Sequence, residues 1–98
     1  MKNTNIKKVE EKKMREFQYV ITDPEGIHAR PAGLLVKAAK EYASDIKIAK
    51  DGKAMSCKAI FGVMGLGAKK GDEVTLTFEG ADENEAFEAI SKFMQENL

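Results

Sequence analysis

The chain contains very little cysteine and histidine and carries no net charge. Among its 98 residues there is one cysteine, Cys57, and one histidine, His28, and 16 Lys and Arg balance 16 Asp and Glu. A single cysteine excludes an intrachain disulfide, and without a Cys/His cluster the sequence offers no zinc-ligand set. We therefore expect no metal and no cofactor. A lone thiol with no activating neighbour favours a reducing cytoplasm over thiol catalysis.

Long hydrophobic runs are also missing. No apolar stretch approaches the length of a membrane span, and the first residues lack the apolar block of a signal peptide, so we expect no membrane partner. Zero net charge argues against nucleic acid as the main partner. The charge is nevertheless uneven: residues 30–70 hold nine Lys and Arg against three acids, and residues 72–98 hold eight acids against one lysine. This asymmetry has two interpretations: the basic region binds an acidic partner, or both regions are ordinary solvated faces.

Composition divides the chain into a polar tail and one domain. Residues 1–13, MKNTNIKKVEEKK, carry five lysines against two glutamates and are expected to form a flexible extension. Residues 14–98 are long enough for one hydrophobic core. We expect this part to be a single domain.

Hydropathy patterning predicts the elements of that domain. Alternating apolar side chains predict four strands, at 17–21, 46–49, 53–58 and 74–78. Helical spacing predicts a helix over 29–42, a turn or two of helix within 59–67, and a last helix capped by Asp82. The first helix is expected to bury one stripe, formed by Leu34, Leu35, Ala38, Ala39 and Tyr42. The half-polar strands and the Asp51-Gly52 hairpin signal favour an α+β fold, an antiparallel sheet with helices on one face.

The most informative stretch is GIHARPA, residues 26–32, which contains the only histidine. His28 follows the turn signal DPEG and precedes the first predicted helix, which places an imidazole at a helix N-terminus. The free N–H groups of Ala29, Arg30 and Ala32 and the helix dipole would form an anion site there. Neutral imidazole is a good nucleophile, and Arg30 can neutralise a phosphoryl group. The pattern favours phosphoryl chemistry on His28, with an incidental surface histidine as the alternative.

Nothing else in the sequence supports independent catalysis at this site. There is no Walker A loop and no Asp/Glu triplet for Mg²⁺, which ATP-dependent phosphoryl transfer requires. We therefore interpret the chain as an acceptor and donor of a phosphoryl group, and not as an enzyme in its own right.

Four segments resemble one known family. GIHARPA at 26–32, DGK at 51–53, IFGVMGLG at 60–67 and EGADE at 79–83 are similar to HPr, the histidine-containing phosphocarriers of the sugar phosphotransferase system. The resemblance covers residues 14–98 and implies a β-α-β-β-α-β-α open-faced sandwich with sheet order 1-4-2-3. It implies that His28 accepts a phosphoryl group on Nδ1 from phosphorylated enzyme I and passes it to a sugar-specific enzyme IIA. Arg30 matches the active-site arginine of the family.

The resemblance also implies a partner-binding surface on the first and second helices. Carried over by position, it comprises Ala29, Lys37, Lys40, Ile60, Phe61 and Met64. A small apolar centre with a basic rim suits the short-lived complexes of a relay, and methionine adapts to several partners. Ordinary core packing and solvated lysines are the alternative interpretations. We expect the protein to be a monomer.

One position departs from the family. In many Gram-positive members, the residue after the lysine equivalent to Lys58 is a serine that a regulatory kinase phosphorylates. Here it is Ala59, which has no hydroxyl group. The regulatory branch through that serine, including corepressor duty in catabolite repression, is therefore not carried over, and Ser56 lies in a predicted strand.

Two other functions fit parts of the sequence. A regulatory protein could keep this fold and act by binding alone, but such proteins typically lose the histidine, and His28 and Arg30 are both present. A small nucleic-acid-binding domain is indicated only by GVMG at 62–65, which is an apolar segment in a chain without net charge.

Overall fold

The structure is a computed structural model that describes residues 15–98, so the predicted extension 1–13 and Met14 lie outside the described residues. The elements follow the predicted β-α-β-β-α-β-α order. They are β1 (Arg15–Val20), α1 (Ala29–Ala39), β2 (Asp45–Lys50), β3 (Lys53–Ser56), α2 (Ile60–Gly65), β4 (Glu73–Glu79) and α3 (Glu83–Asn97).

The strands form one antiparallel sheet in the order β1-β4-β2-β3, as predicted. Central strand β4 sets the register, since Leu76 pairs with Phe17 on one side and Ile48 on the other. The turn between β2 and β3 has positive φ at both Asp51 (53°) and Gly52 (82°). A type I′ hairpin turn requires this backbone conformation, which explains why Asp-Gly stands at this point.

The core lies between one face of the sheet and the helices. Alternate strand residues are completely buried: Ile46, Ile48, Val74, Leu76 and Phe78. The helices cover them with small and medium apolar side chains, chiefly Ala32, Leu35, Ala39, Ala86, Ile90 and Met94. Burial of each of the larger side chains contributes about 1.5–3 kcal/mol to folding. This core fixes the direction in which α1 points and so fixes the position of its N-terminus.

Helix α1 is shorter than predicted, and its buried stripe is shifted. It ends at Ala39, and Glu41 and Tyr42 follow in tight turns instead of a further helical turn. Leu34, which we predicted in the core, is 46% exposed, whereas Val36 is only 8% exposed. Residues 34–36 are all apolar, so the sequence does not show which two of them face the core. The packing of α1 in the folded protein buries Leu35 and Val36 and leaves Leu34 at the surface.

Asp82 stands at the predicted N-cap position of α3, but the prediction that its side chain caps the helix is wrong. The side chain makes no capping hydrogen bond. Its carboxylate instead accepts hydrogen bonds from the backbone N–H groups of Ala43 (2.8 Å) and Ser44 (2.9 Å) and from the Ser44 hydroxyl. Glu83 accepts from the Gly80 N–H at 3.0 Å. Asp82 therefore ties the loop before β2 to the start of α3.

Candidate functional site

The loop that presents His28 is held tightly against the turn before β4. Gly26 has φ +69°, and a Cβ at this position would lie 2.8 Å from the Cα of Lys69. The next residue, Ile27, donates its N–H to the carbonyl oxygen of Ala68 at 3.0 Å and is 7% exposed. Only glycine permits this close approach with this φ. Gly26 and Ile27 thus anchor the loop and hold His28 at the surface.

Hydrogen bonds within the loop and to Leu98 hold the first half of the loop. The Asp23 carboxylate accepts the Glu25 N–H at 2.8 Å, and the Asp23 carbonyl accepts the Gly26 N–H at 2.9 Å. A main-chain oxygen of Leu98 accepts the N–H groups of Thr22 (2.6 Å) and Asp23 (2.8 Å). Asx turns of this kind are built by Asp and Asn side chains that bond the backbone two residues on. The Asp23 side chain therefore has a defined orientation.

His28 is the N-cap residue of α1, in an extended conformation, and its side chain makes no capping hydrogen bond. Within residues 15–98, no acceptor bonds the N–H groups of Ala29 and Arg30, and the first turn contains no acidic residue. The N–H of Ala32 donates to the His28 carbonyl at 2.9 Å, so our expectation that it faces an anion is wrong. Two N–H groups and the positive end of the helix dipole are therefore open to an anion.

The imidazole lies between two carboxylates. Its side chain is 38% exposed, with Nε2 lying 3.7 Å from Asp23 Oδ2 and Nδ1 lying 3.6 Å from Glu25 Oε1. These distances exceed hydrogen-bond range, so both acids act on the ring through their charge. Sequence reasoning treated Asp23 and Glu25 only as turn residues. Two acids within five positions of the only histidine were the signal that could have found them.

Arg30 shares an open surface pocket with His28. The pocket is lined by Asp23, His28, Arg30, Pro31, Leu34 and Asn97. Arg30 is exposed, and in the part of the chain that the structure describes its guanidinium makes no ion pair. The pocket therefore brings His28 and Arg30 to one small open space.

The predicted partner surface lies on exposed parts of α1 and α2. Ala29, Lys37 and Lys40 are exposed on α1. On α2, Phe61 is 86% exposed and Met64 37% exposed, while Ile60 is half-buried. The two helices are neighbours, since Ile60 Cδ1 lies 3.8 Å from the position of a Cβ on Gly33.

Leu34 adds to this surface, although sequence reasoning placed it in the core. It lines the His28 pocket, and it follows Gly33, the α1 residue that Ile60 of α2 approaches. We call Leu34, Ile60, Phe61 and Met64 the apolar patch. Val63, in the same short helix, is completely buried, so α2 divides its apolar residues between the core and the surface.

The described residues offer neither a reactive thiol nor a metal-binding cluster. Burial, and to a smaller extent the charge of Asp45, raises the pKa of the Cys57 thiol to about 12, so this thiol is inert at neutral pH. Among residues 15–98, no cluster of three His, Cys, Asp or Glu side chains could hold a metal ion. A helix long and apolar enough to cross a bilayer is not found in that part of the chain.

Comparisons with known proteins identify the family. The family model for the PTS HPr component phosphorylation site matches residues 15–96. The phosphocarrier protein HPr of Lysinibacillus sphaericus is 47% identical over 83 residues, which cover 85% of this chain and 94% of that protein. The solved structure of the phosphocarrier protein HPr from Bacillus anthracis str. Ames is similar with a TM-score of 0.78 and 39% identity, over 84% of this chain and 98% of that one.

A regulatory relative is also similar. The Bacillus subtilis catabolite repression protein Crh, solved as a domain-swapped dimer, matches with a TM-score of 0.69 and 43% identity, over 76% of this chain and 86% of that one. The matched residues 15–96 include His28, Arg30 and both helices of the predicted partner surface. With a family model that matches most of its length and a curated relative that shares 47% of the aligned residues, this chain belongs to the HPr family of phosphocarriers.

Proposed function

We propose that this chain carries phosphoryl groups in the cytoplasm, within a phosphoenolpyruvate-dependent sugar phosphotransferase system. Phosphorylated enzyme I donates the group to His28, and a sugar-specific enzyme IIA removes it. The observation that carries the proposal is the 38% exposed imidazole at the start of α1, where the N–H groups of Ala29 and Arg30 have no acceptor among residues 15–98. A histidine in this place can be reached by two large partners in turn and can give up what it receives.

We propose the following transfer step. The lone pair of Nδ1 forms the new N–P bond while the bond between phosphorus and the donor breaks, and that electron pair stays on the donor. Nε2 keeps its proton, so the ring gains positive charge, which the Asp23 carboxylate 3.7 Å from Nε2 offsets. The bound group carries about two negative charges. We propose that the N–H groups of Ala29 and Arg30 and the Arg30 guanidinium bind its oxygens.

The chain contributes binding and orientation, and its partners complete the chemistry. We propose that the apolar patch contacts both enzyme I and enzyme IIA, because a single exposed histidine must present the same surface to each. Lys37 and Lys40 supply a basic rim that attracts acidic partners. We also propose that the chain acts as a monomer.

We further propose that regulation through a phosphoserine does not operate at the start of α2. Ala59 is the exposed N-cap residue of that helix and has no hydroxyl group. Ser56, the last residue of β3, accepts the Lys58 N–H through its side-chain oxygen at 3.1 Å. Treatment with ATP and the serine kinase of a related system should therefore add no phosphate to this chain, whereas a serine-containing relative should gain one.

Phosphate uptake tests the proposed function directly. The protein is incubated with phosphoenolpyruvate and a catalytic amount of enzyme I, and the intact mass is measured before and after acid treatment. We expect a mass gain of one phosphate that acid removes. His28→Ala should gain none, and since His28 is the only histidine, no other imidazole can replace it. Thermal unfolding of His28→Ala serves as the folding control, and a labelled His28→Ala protein would overturn the assignment.

Delivery to enzyme IIA separates the carrier from a regulatory binding protein. A carrier loses its phosphate when a matching enzyme IIA is added, and the sugar is phosphorylated in proportion. A protein that acts by binding alone would retain partner affinity in the His28→Ala variant and show no phosphate turnover in the wild type.

A further inference from the structure

The two carboxylates beside His28 are held in different ways. Asp23 has a side chain that is 25% exposed and is oriented by its hydrogen bond to the Glu25 N–H. The Glu25 side chain is 75% exposed and makes no hydrogen bond to residues 15–98. Asp23 lies at Nε2, and Glu25 lies 3.6 Å from Nδ1.

The position of Glu25 matters once Nδ1 carries a phosphoryl group, a step that rests on the proposed function. In the unmodified protein, a carboxylate at this distance is compatible with a neutral or a positively charged ring. A phosphoryl group on Nδ1 places about two negative charges next to it. The Ala29 and Arg30 N–H groups and the Arg30 guanidinium attract the same group. How firmly the group is retained depends on the balance between this attraction and the repulsion from Glu25.

We propose that Glu25 weakens the hold of His28 on its phosphoryl group and so favours transfer to the next acceptor. When the group leaves, the N–P bond breaks, phosphorus bonds to the acceptor, and the electron pair of the broken bond returns to Nδ1. Glu25 forms no bond and moves no proton in this step. It acts through its charge alone, from an exposed side chain that no hydrogen bond to residues 15–98 holds in place.

The test compares the phosphorylation equilibrium of the wild type and Glu25→Gln. Each protein is brought to equilibrium with fixed phosphoenolpyruvate and pyruvate and catalytic enzyme I, and the ¹H NMR signals of the His28 ring give the ratio of phosphorylated to free protein. We expect Glu25→Gln to raise this ratio about threefold, within the range measured for exposed charge pairs. The difference should shrink in 1 M salt, where the Debye length is about 3 Å, whereas a purely structural effect would persist.

Glu41→Gln is the matched control for net charge. It removes the same charge at the opposite end of α1, an 11-residue helix about 16 Å long, and should leave the ratio unchanged. Glu25→Asp retains the charge on a shorter side chain and should give an intermediate ratio. Thermal unfolding of Glu25→Gln should match the wild type, because the Asp23 bond uses the Glu25 backbone N–H.

The outcomes separate the inference from the function on which it rests. An unchanged ratio in Glu25→Gln, an equal rise in Glu41→Gln, or a rise that survives high salt contradicts the role of Glu25 alone. A wild type that takes up no phosphate from enzyme I contradicts the proposed function as well.

Discussion

The N-termini of α1 and α3 obey the same physics and serve opposite purposes. In any α-helix the first N–H groups have no acceptor within the helix, and the positive end of the helix dipole lies there. At α3, two acidic residues occupy the first turn, and Glu83 bonds back to the Gly80 N–H. At α1, the first turn has no acid, and the cap residue His28 leaves the helix end open.

The difference between the two helix ends is whether the protein itself supplies the negative charge that the dipole favours. The negative charges in the first turn of α3 are permanent parts of the protein, and they offset the positive end of its dipole. The end of α1 is incomplete by itself, and we propose that a transferable phosphoryl group completes it. Gly26 and Ile27 hold this unsatisfied end in place through contacts with the turn before β4.

The largest expected effect comes from Gly26→Ala, which should disrupt the open helix end. The new Cβ would meet the backbone of Ala68 and Lys69 at a φ of +69°, and we expect a loss of about 3 kcal/mol in the free energy of unfolding. Gly67 is the matched control, since it has φ +65° and no atom within 4 Å of a new Cβ. Gly67→Ala should cost only about 1 kcal/mol. Equal losses in urea denaturation would show that the close approach at Gly26 is unimportant.

Arg30→Gln should slow phosphoryl transfer to His28 without changing the stability of the fold. Removing the guanidinium takes away a positive charge beside the bound phosphoryl group, and we expect transfer from enzyme I to slow about tenfold, or about 1.4 kcal/mol in the barrier. The urea midpoint should not change, because Arg30 is exposed. Arg30→Lys should recover part of the rate. Unchanged transfer kinetics in Arg30→Gln would remove Arg30 from the mechanism.

Acid should loosen the contacts at the start of α3. Hydrogen bonds from the Ser44 side chain and then the Ala43 backbone lower the pKa of Asp82 below its usual 3.8. The folded state therefore favours the charged carboxylate, and its stabilising effect is present above pH 3.8 and is lost as the pH falls through the lower folded value. In urea unfolding at pH 7 and pH 3, Asp82→Asn should be less stable than the wild type at pH 7 and should lose less stability on acidification. Glu88→Gln should keep the full acid dependence.

The smallest expected effect is direct binding of inorganic phosphate to the open end. In NMR titrations with millimolar phosphate, the amide signals of Ala29 and Arg30 should shift, while those of Glu83 and Asn84 should not. The acids in the first turn of α3 repel the anion, whereas α1 has none there. Equal shifts at both helices would mean that the two ends do not differ as anion sites.

Local patterns were sufficient for most of the fold. Alternation predicted the four strands, and the hairpin at Asp51 and Gly52 followed from the turn that this pair favours. The turn residues before His28 and Pro31 after it indicated a helix N-terminus, and the structure has one there. The sheet order came from the family resemblance, because periodicity does not show which strands pair.

Details that depend on side-chain direction were predicted less well. Leu34 was assigned to the core because it stands beside Leu35 in an apolar run, and the orientation of α1 turns it to the surface. Asp82 was assigned to cap its own helix because Asp is common at that position, but Ala43 and Ser44 lie close enough to take its carboxylate. In both cases a contact between segments distant in sequence overrode a local preference.

The amino-acid order alone specified the elements, the single histidine at a helix start and the arginine beside it, because these depend on propensities that act over a few residues. Folding added the exposure of the imidazole, the placement of Asp23 and Glu25 at its two nitrogens, and the meeting of α1 with α2. These properties depend on where separate segments meet in space, and that position is set by the packing of the shared core.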